Sequence, residues 1–124
     1  RPLDNTYTFC TGFINVTQST ESSDHKGLRG CWGTDWPVSA KDSVGHKRET
    51  VGLGIYIPEK FVVSEEPANK DNYAFTVRPV DGRLHYKITF CSDNETFGYH
   101  TDKAWYAFLE SWKKEIIQSI TVSQ

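Results

Sequence analysis

The apolar side chains divide this chain into short alternating runs followed by one longer helical stripe. Between residues 7 and 16, Tyr7, Phe9, Thr11 and Phe13 share one parity, while Cys10, Ile14 and Val16 share the other. That two-residue period is the signature of an extended strand. Residues 18–27 are polar and turn-like. Leu28 to Thr34 resumes a short strand that includes Gly30 and Gly33. Residues 35–50 read as a long polar loop carrying Trp36, Pro37, His46, Lys47 and Arg48; loops of this length usually carry function or lack fixed structure. Val51, Leu53, Ile55 and Ile57 then alternate onto one face of a further strand, which Pro58 ends. Residues 64–72 form a second polar connection.

The strongest local signal is Asp81-Gly82, a pair that accepts the positive backbone angles of a two-residue hairpin turn. Pairing about it sets Tyr73 opposite Phe90, Phe75 opposite Ile88, Val77 opposite Tyr86 and Pro79 opposite Leu84. All eight fall on one face, which is expected to be buried. The other face then carries Arg78 opposite His85 and Thr76 opposite Lys87. Pro79 has no N–H to give to a ladder, so its outer side is expected at an edge or a bulge. From Asp102 to Ser119, Trp105, Phe108, Leu109, Trp112 and Ile116 recur at helical spacing, with Thr101 or Asp102 available as the cap. A stripe of this kind is a packing face. The pattern predicts a mainly β fold with one C-terminal amphipathic helix, in a single β-rich domain over residues 1–124.

Composition narrows the function classes. A net charge of -2 and a pI near 6.1 argue against nucleic-acid binding through a basic surface. The longest apolar run, Ala104 to Leu109, is six residues, against about 20 for a bilayer span, so no membrane partner is expected. The chain has no Met and begins with Arg1, as a processed product or a fragment would. Two N-x-[ST] sequons, at Asn15 and Asn94, point to the secretory route and to N-glycosylation, with Asn94 expected ahead of Asn15. Cys10, Cys31 and Cys91 make an odd count. In a secreted chain that leaves one thiol to pair elsewhere or to stay buried and inert. Cys10 and Cys31 are equidistant from the turn between Thr20 and Glu21, so a simple hairpin predicts a disulfide between them. Cys91 is then left for a missing N-terminal segment or a partner chain.

No zinc-protease, nucleophile-elbow, phosphate-loop or paired CxxC motif is present, and His25, His46, His85 and His100 are dispersed. No catalytic residue, metal or cofactor is therefore assigned. Two constellations suit carbohydrate. One gathers Asp24, His25, Lys26, Trp32 and Trp36 with Tyr99 and His100, combining aromatic rings that stack on sugars with polar groups that orient them. The plainer reading makes Trp32 core and Trp36 a loop anchor. The other is the cationic hairpin face of Arg78, His85 and Lys87. A uronate lyase needs a cation to neutralise the carboxylate and a Tyr or His base. The plainer reading there is a solvated hairpin face.

Gly27-Leu-Arg-Gly-Cys-Trp-Gly33, then Val51-Gly-Leu-Gly-Ile-Tyr-Ile-Pro58, then the strand–Asp-Gly–strand segment from Asn72 to Tyr86, then an amphipathic helix, is an order that resembles the C-terminal third of the DUF4861 family. The resemblance spans about residues 9 to 118. It implies a secreted protein found beside polysaccharide lyases and glycoside hydrolases that act on acidic polysaccharides. It also implies an antiparallel β-sandwich, part of a larger galactose-mutarotase-like sandwich, with residues 1–124 as its C-terminal segment in place of a whole domain. Where the family pattern calls for a Trp after the second hairpin strand, this chain has Ser92-Asp93, which do not stack on a sugar. The functional expectation is a secreted, carbohydrate-associated protein, part of an enzyme degrading acidic polysaccharides as a lyase or hydrolase. The alternative is a non-catalytic glycan-binding or extracellular structural module. In either case an acidic polysaccharide is the expected partner.

Overall fold

The computed structural model describes residues 5–16, 19–35, 49–93 and 98–123. The strands are β1 (Phe9–Ile14), β2 (Thr20–Ser23), β3 (Leu28–Asp35), β4 (Glu49–Tyr56), β5 (Val62–Glu65), β6 (Asn72–Val77) and β7 (Lys87–Ser92). Among the described residues a 3-10 turn, Glu59–Phe61, precedes β5, and a helix, α1, runs Asp102–Ser123. The strands form two antiparallel sheets, one in the order β1-β6-β5 and one in the order β2-β3-β4-β7. The expected antiparallel β-sandwich with a C-terminal helix is what the chain forms.

The alternation in β4 organises both layers. Ile55 and Ile57 point at the other sheet and are buried with Phe61, Phe75 and Val77. Val51 and Leu53, on the same parity, pack against a second cluster of Val16, Cys31 and Tyr73. The opposite parity, Gly52, Gly54 and Tyr56, faces α1. Trp105, Leu109 and Ile116 of the helix are buried there with Leu28, Tyr56 and Cys91, and Trp32, Phe108 and Trp112 pack around them. Trp32 is thus a core-side residue. The helix starts where its cap was expected, with Thr101 Oγ1 accepting the Ala104 N–H at 3.1 Å. Its close seat depends on the missing side chains of β3 and β4. A Cβ at Gly30 or Gly54 would meet Leu109, and one at Gly52 would meet the Trp105 indole.

Among the described residues one charged side chain is buried between the sheets. Arg29 of β3 is buried, and its Nη1 donates to the carbonyl oxygens of Glu66 at 2.8 Å and Ala74 at 3.0 Å. Its Nη2 reaches Glu21 at 3.4 Å, and its guanidinium lies 5.1 Å from the Tyr73 ring centre. Nε has no partner among the described residues. Burial of the cation is tolerated because both terminal nitrogens meet oxygens and an aromatic face covers the group.

Three expectations from the sequence are corrected. The Asp81-Gly82 turn forms: Asp81 has φ 53°, Gly82 has φ 74°, and Val80 and Arg83 exchange hydrogen bonds of 2.8 and 3.0 Å. The hairpin stops there. β6 is already paired on both edges, by β1 and by β5, so β7 crosses to the other sheet and pairs with β4. Tyr73, Phe75 and Val77 are buried as expected, but Tyr86, Ile88 and Phe90 are exposed.

The Cys10–Cys31 disulfide is also absent. The polar segment 18–27 contains a strand, β2, which takes the edge of β3 that the first strand was expected to take. Cys31 lies opposite Glu21 and Leu53, whereas Cys10 lies opposite Thr76 in the other sheet. Finally, the connection after Phe61 begins with a short strand, β5, that reaches Glu65 inside the segment read as loop. Trp36, His46 and Asn94 lie outside the described residues.

Candidate functional site

The end of β4, the 3-10 turn, the Asp81-Gly82 turn and the C-terminal half of α1 converge on an open cleft of about 620 Å³. Its apolar floor comes from Tyr56, Pro58, Phe61 and Val80, with Ile117 and Ile120 of the helix on one side. Lys60, Arg83 and His85 bring basic side chains to it, against one carboxylate, that of Asp81. Local backbone rules place these groups. Pro58 ends β4 and starts the 3-10 turn, which sets Phe61 inward and leaves Glu59 and Lys60 outside. The tight turn projects Arg83, and His85 then lies edge-on to Phe61, ring centres 4.9 Å apart. Lys60 Nζ sits 5.0 Å from the centre of the same ring.

The Tyr56 phenol is raised above its ordinary pKa, first by burial and then by the nearby carboxylates of Glu59 and Asp24. Its proton is therefore held more firmly than that of an ordinary tyrosine. Lys113 of α1 lies 5.3 Å from its ring centre and is ion-paired to Asp24. Burial raises the Asp24 carboxyl, but this is outweighed by donors from Lys113, the Lys26 N–H and the Leu28 N–H, and the net shift is downward. The pair fastens the helix to the β2–β3 turn.

The structure separates the residues that the sequence grouped. His85 lines the cleft, but Lys87 lies in a neighbouring shallow groove with Trp112, Glu115 and Ile116. Arg78 is exposed and lines neither, and its N–H donates to the Phe61 carbonyl at 2.8 Å. The three were placed together only by the hairpin that does not form. The other constellation also disperses. His25 pairs with Glu65 at 2.9 Å, His100 with Asp93 at 2.6 Å, and Tyr99 packs against Trp105 and Phe108. Asp24 and Lys26 line a third groove beside Lys113 and Lys114. At the first sequon, Asn15 Nδ2 donates to the Asn69 carbonyl at 2.6 Å, and its Oδ1 accepts from Ser19. Among the described residues no group of three His, Cys, Asp or Glu side chains is placed to hold a metal ion.

Lys60, Arg83, Tyr56 and Phe61 were not singled out from the sequence. They come from separate segments, and the only forward signal was the turn that places Arg83.

A family model described as Domain of unknown function (DUF4861) matches residues 1–122. The chain is a DUF4861 protein. No curated protein and no solved structure matches it. For a DUF4861 member the cleft therefore has to be read from its own chemistry. Three basic groups beside an apolar floor favour an anionic ligand with one apolar face, and the phenol of Tyr56 adds a donor.

Proposed function

We propose that this DUF4861 chain is a secreted, carbohydrate-associated module that takes an acidic sugar in the cleft between the 3-10 turn and α1. The observation that carries this reading is the convergence of Lys60, Arg83 and His85 on a pocket whose floor is aromatic and aliphatic. A uronate unit presents a carboxylate for the cations and C–H faces for the apolar floor. The pocket volume suits one or two sugar rings. The reading replaces the Arg78–His85–Lys87 face with a different set that shares only His85.

Binding is favoured over catalysis by the state of Tyr56. A uronate lyase needs a deprotonated base beside the neutralised carboxylate. Burial and neighbouring carboxylates hold the Tyr56 proton more firmly than in an ordinary tyrosine, which leaves His85 and the Asp81 carboxylate as the other bases among the described lining residues. Lyase action through His85 is the second reading, and the two separate in one experiment. Titration calorimetry with oligogalacturonate is expected to detect binding, with no rise of unsaturated-uronide absorbance on prolonged incubation. Replacing both Lys60 and Arg83 by Ala is expected to weaken binding about tenfold or more, since charge-assisted hydrogen bonds contribute about 1.5–3 kcal/mol each. Neither side chain is buried, so the melting temperature stays close to that of the parent. Unchanged affinity in the double variant refutes the site. An absorbance rise that His85→Gln abolishes favours the lyase.

Secretion is part of the same proposal and rests on the sequons. A glycan on Asn15 would replace one hydrogen of Nδ2 and leave the other for the Asn69 carbonyl.

A further inference from the structure

In the four-stranded sheet, the outer edge of β7 carries two exposed apolar side chains, Ile88 and Phe90. Among the described residues β7 is the last strand of that sheet and pairs with β4 alone. The Asp93 N–H donates to the Thr50 carbonyl at 2.8 Å, which sets the phase of the ladder. In an antiparallel pair every second residue bonds the same neighbour. Thr89 and Lys87, opposite Gly54 and Tyr56, therefore turn their backbone groups toward β4. Ile88 and Phe90 turn theirs toward the open edge. Their side chains stand opposite Ile55 and Leu53, on the face toward the three-stranded sheet. That sheet does not extend over them: Ile88 is 66% exposed and Phe90 is 76% exposed. Large apolar side chains on an unpaired strand form a template for another strand.

We propose that β7 pairs antiparallel with β7 of a second copy, about a two-fold axis at Phe90, so that two four-stranded sheets join into one. A two-fold contact has to be self-complementary, and this segment is. With Phe90 opposite its own counterpart, Lys87 of each copy falls opposite Asp93 of the other. Both side chains lie on the helix-facing parity, so two opposite-charge pairs flank one central aromatic pair. Phe90 is also a residue whose backbone groups face the open edge, as a central hydrogen-bonded pair requires. Asp93 accepts from His100 at 2.6 Å, yet its side chain is 42% exposed and open to a lysine from across the edge. Lys87 shares its groove with Glu115, which does not lie on the strand. A two-residue slip, which centres the contact on Thr89, sets Lys87 opposite Cys91 and loses both charge pairs within the strand.

The test is a charge exchange read by light scattering coupled to gel filtration. The parent chain is expected at about twice its 14.2 kDa. Lys87→Asp and Asp93→Lys each put like charges opposite one another twice, so each variant alone is expected to dimerise at least tenfold more weakly. In a mixture of the two variants, the new carboxylate at position 87 of one copy faces the new ammonium at position 93 of the other. The second pair is then the native one, Asp93 of the first copy opposite Lys87 of the second. Mixing is therefore expected to restore a dimer containing one copy of each. This arm also controls for misfolding, since a variant that had lost its fold would not be rescued. Amide exchange at Phe90 is expected to be slow in the parent and fast in either variant alone. A monomeric parent, a variant that dimerises unaided as well as the parent, or a mixture that stays monomeric each overturns the proposal.

Discussion

Gly52→Ala tests the claim that absent side chains in β4 seat the helix. A Cβ built at position 52 would lie 2.6 Å from Cε2, 2.7 Å from Cδ2 and 2.8 Å from Nε1 of Trp105. Comfortable carbon contacts are about 3.5–4.0 Å, so ring and backbone must part by about 1 Å. The indole has little room to give. It is buried, stacked on Phe108 with ring centres 5.2 Å apart, and its Nε1 donates to the Leu53 carbonyl at 3.2 Å. Overpacking of this kind costs about 1–3 kcal/mol. The reduced freedom of the unfolded alanine chain returns about 0.4–1 kcal/mol. The net expectation is a loss of about 1–2 kcal/mol, which lowers the melting temperature by roughly 3–10 °C for a domain of this size. Urea unfolding followed by far-ultraviolet circular dichroism measures it. Gly54→Ala is the matched control. Its new Cβ would meet a Leu109 methyl at 2.5 Å, the far end of a side chain that can rotate, so its cost is smaller. A Gly52→Ala protein as stable as the parent, or less affected than Gly54→Ala, refutes the reasoning. In a Trp105→Phe background the penalty at position 52 should shrink, because the clashing ring is smaller.

Two further outcomes follow from the buried polar groups. Arg29→Ala leaves the Glu66 carbonyl without its guanidinium donor, the Ala74 carbonyl with the Glu66 N–H alone, and Glu21 without its cation; a loss of about 2–5 kcal/mol is expected from the cavity and the unpaired carbonyl, and an unchanged urea midpoint would refute the role given to this residue. For the thiols, a maleimide added to native protein is expected to label exposed Cys10 and spare buried Cys31. Burial pushes the Cys31 thiol from 9.0 up to about 11. The folded state therefore holds that proton after the unfolded chain has released it. The contribution is intact below pH 9, declines between 9 and about 11, and is lost above. A Cys31→Ala variant should show a flatter fall in stability across that window, and an identical slope would count against the assignment.

Part of the cleft was visible in advance. His85 was named from the sequence, and the turn that carries Arg83 was the strongest local signal in the chain. Lys60 and Tyr56 were not visible, because each gains its meaning from a partner more than twenty residues away: Lys60 from Arg83, Tyr56 from the helix. The two histidines expected near sugars, His25 and His100, found carboxylates instead. Periodicity says which face a side chain takes and is silent about which charge will stand across from it.

By itself, the amino-acid sequence determined what local physics determines. The alternation of Val51, Leu53, Ile55 and Ile57 made a two-faced strand, the stripe from Trp105 to Ile116 made a one-faced helix, and Asp81-Gly82 made a tight turn. Only the tertiary structure decided which strand edges meet. An edge bonds one neighbour, and competition for it is settled between segments far apart in sequence. β1 and β5 occupied both edges of β6, so the arms of a locally correct turn went to different sheets. β2 occupied the edge of β3, so Cys10 and Cys31 went to different sheets as well. The same competition left Phe90 exposed on an edge of β7 that no other described strand pairs with.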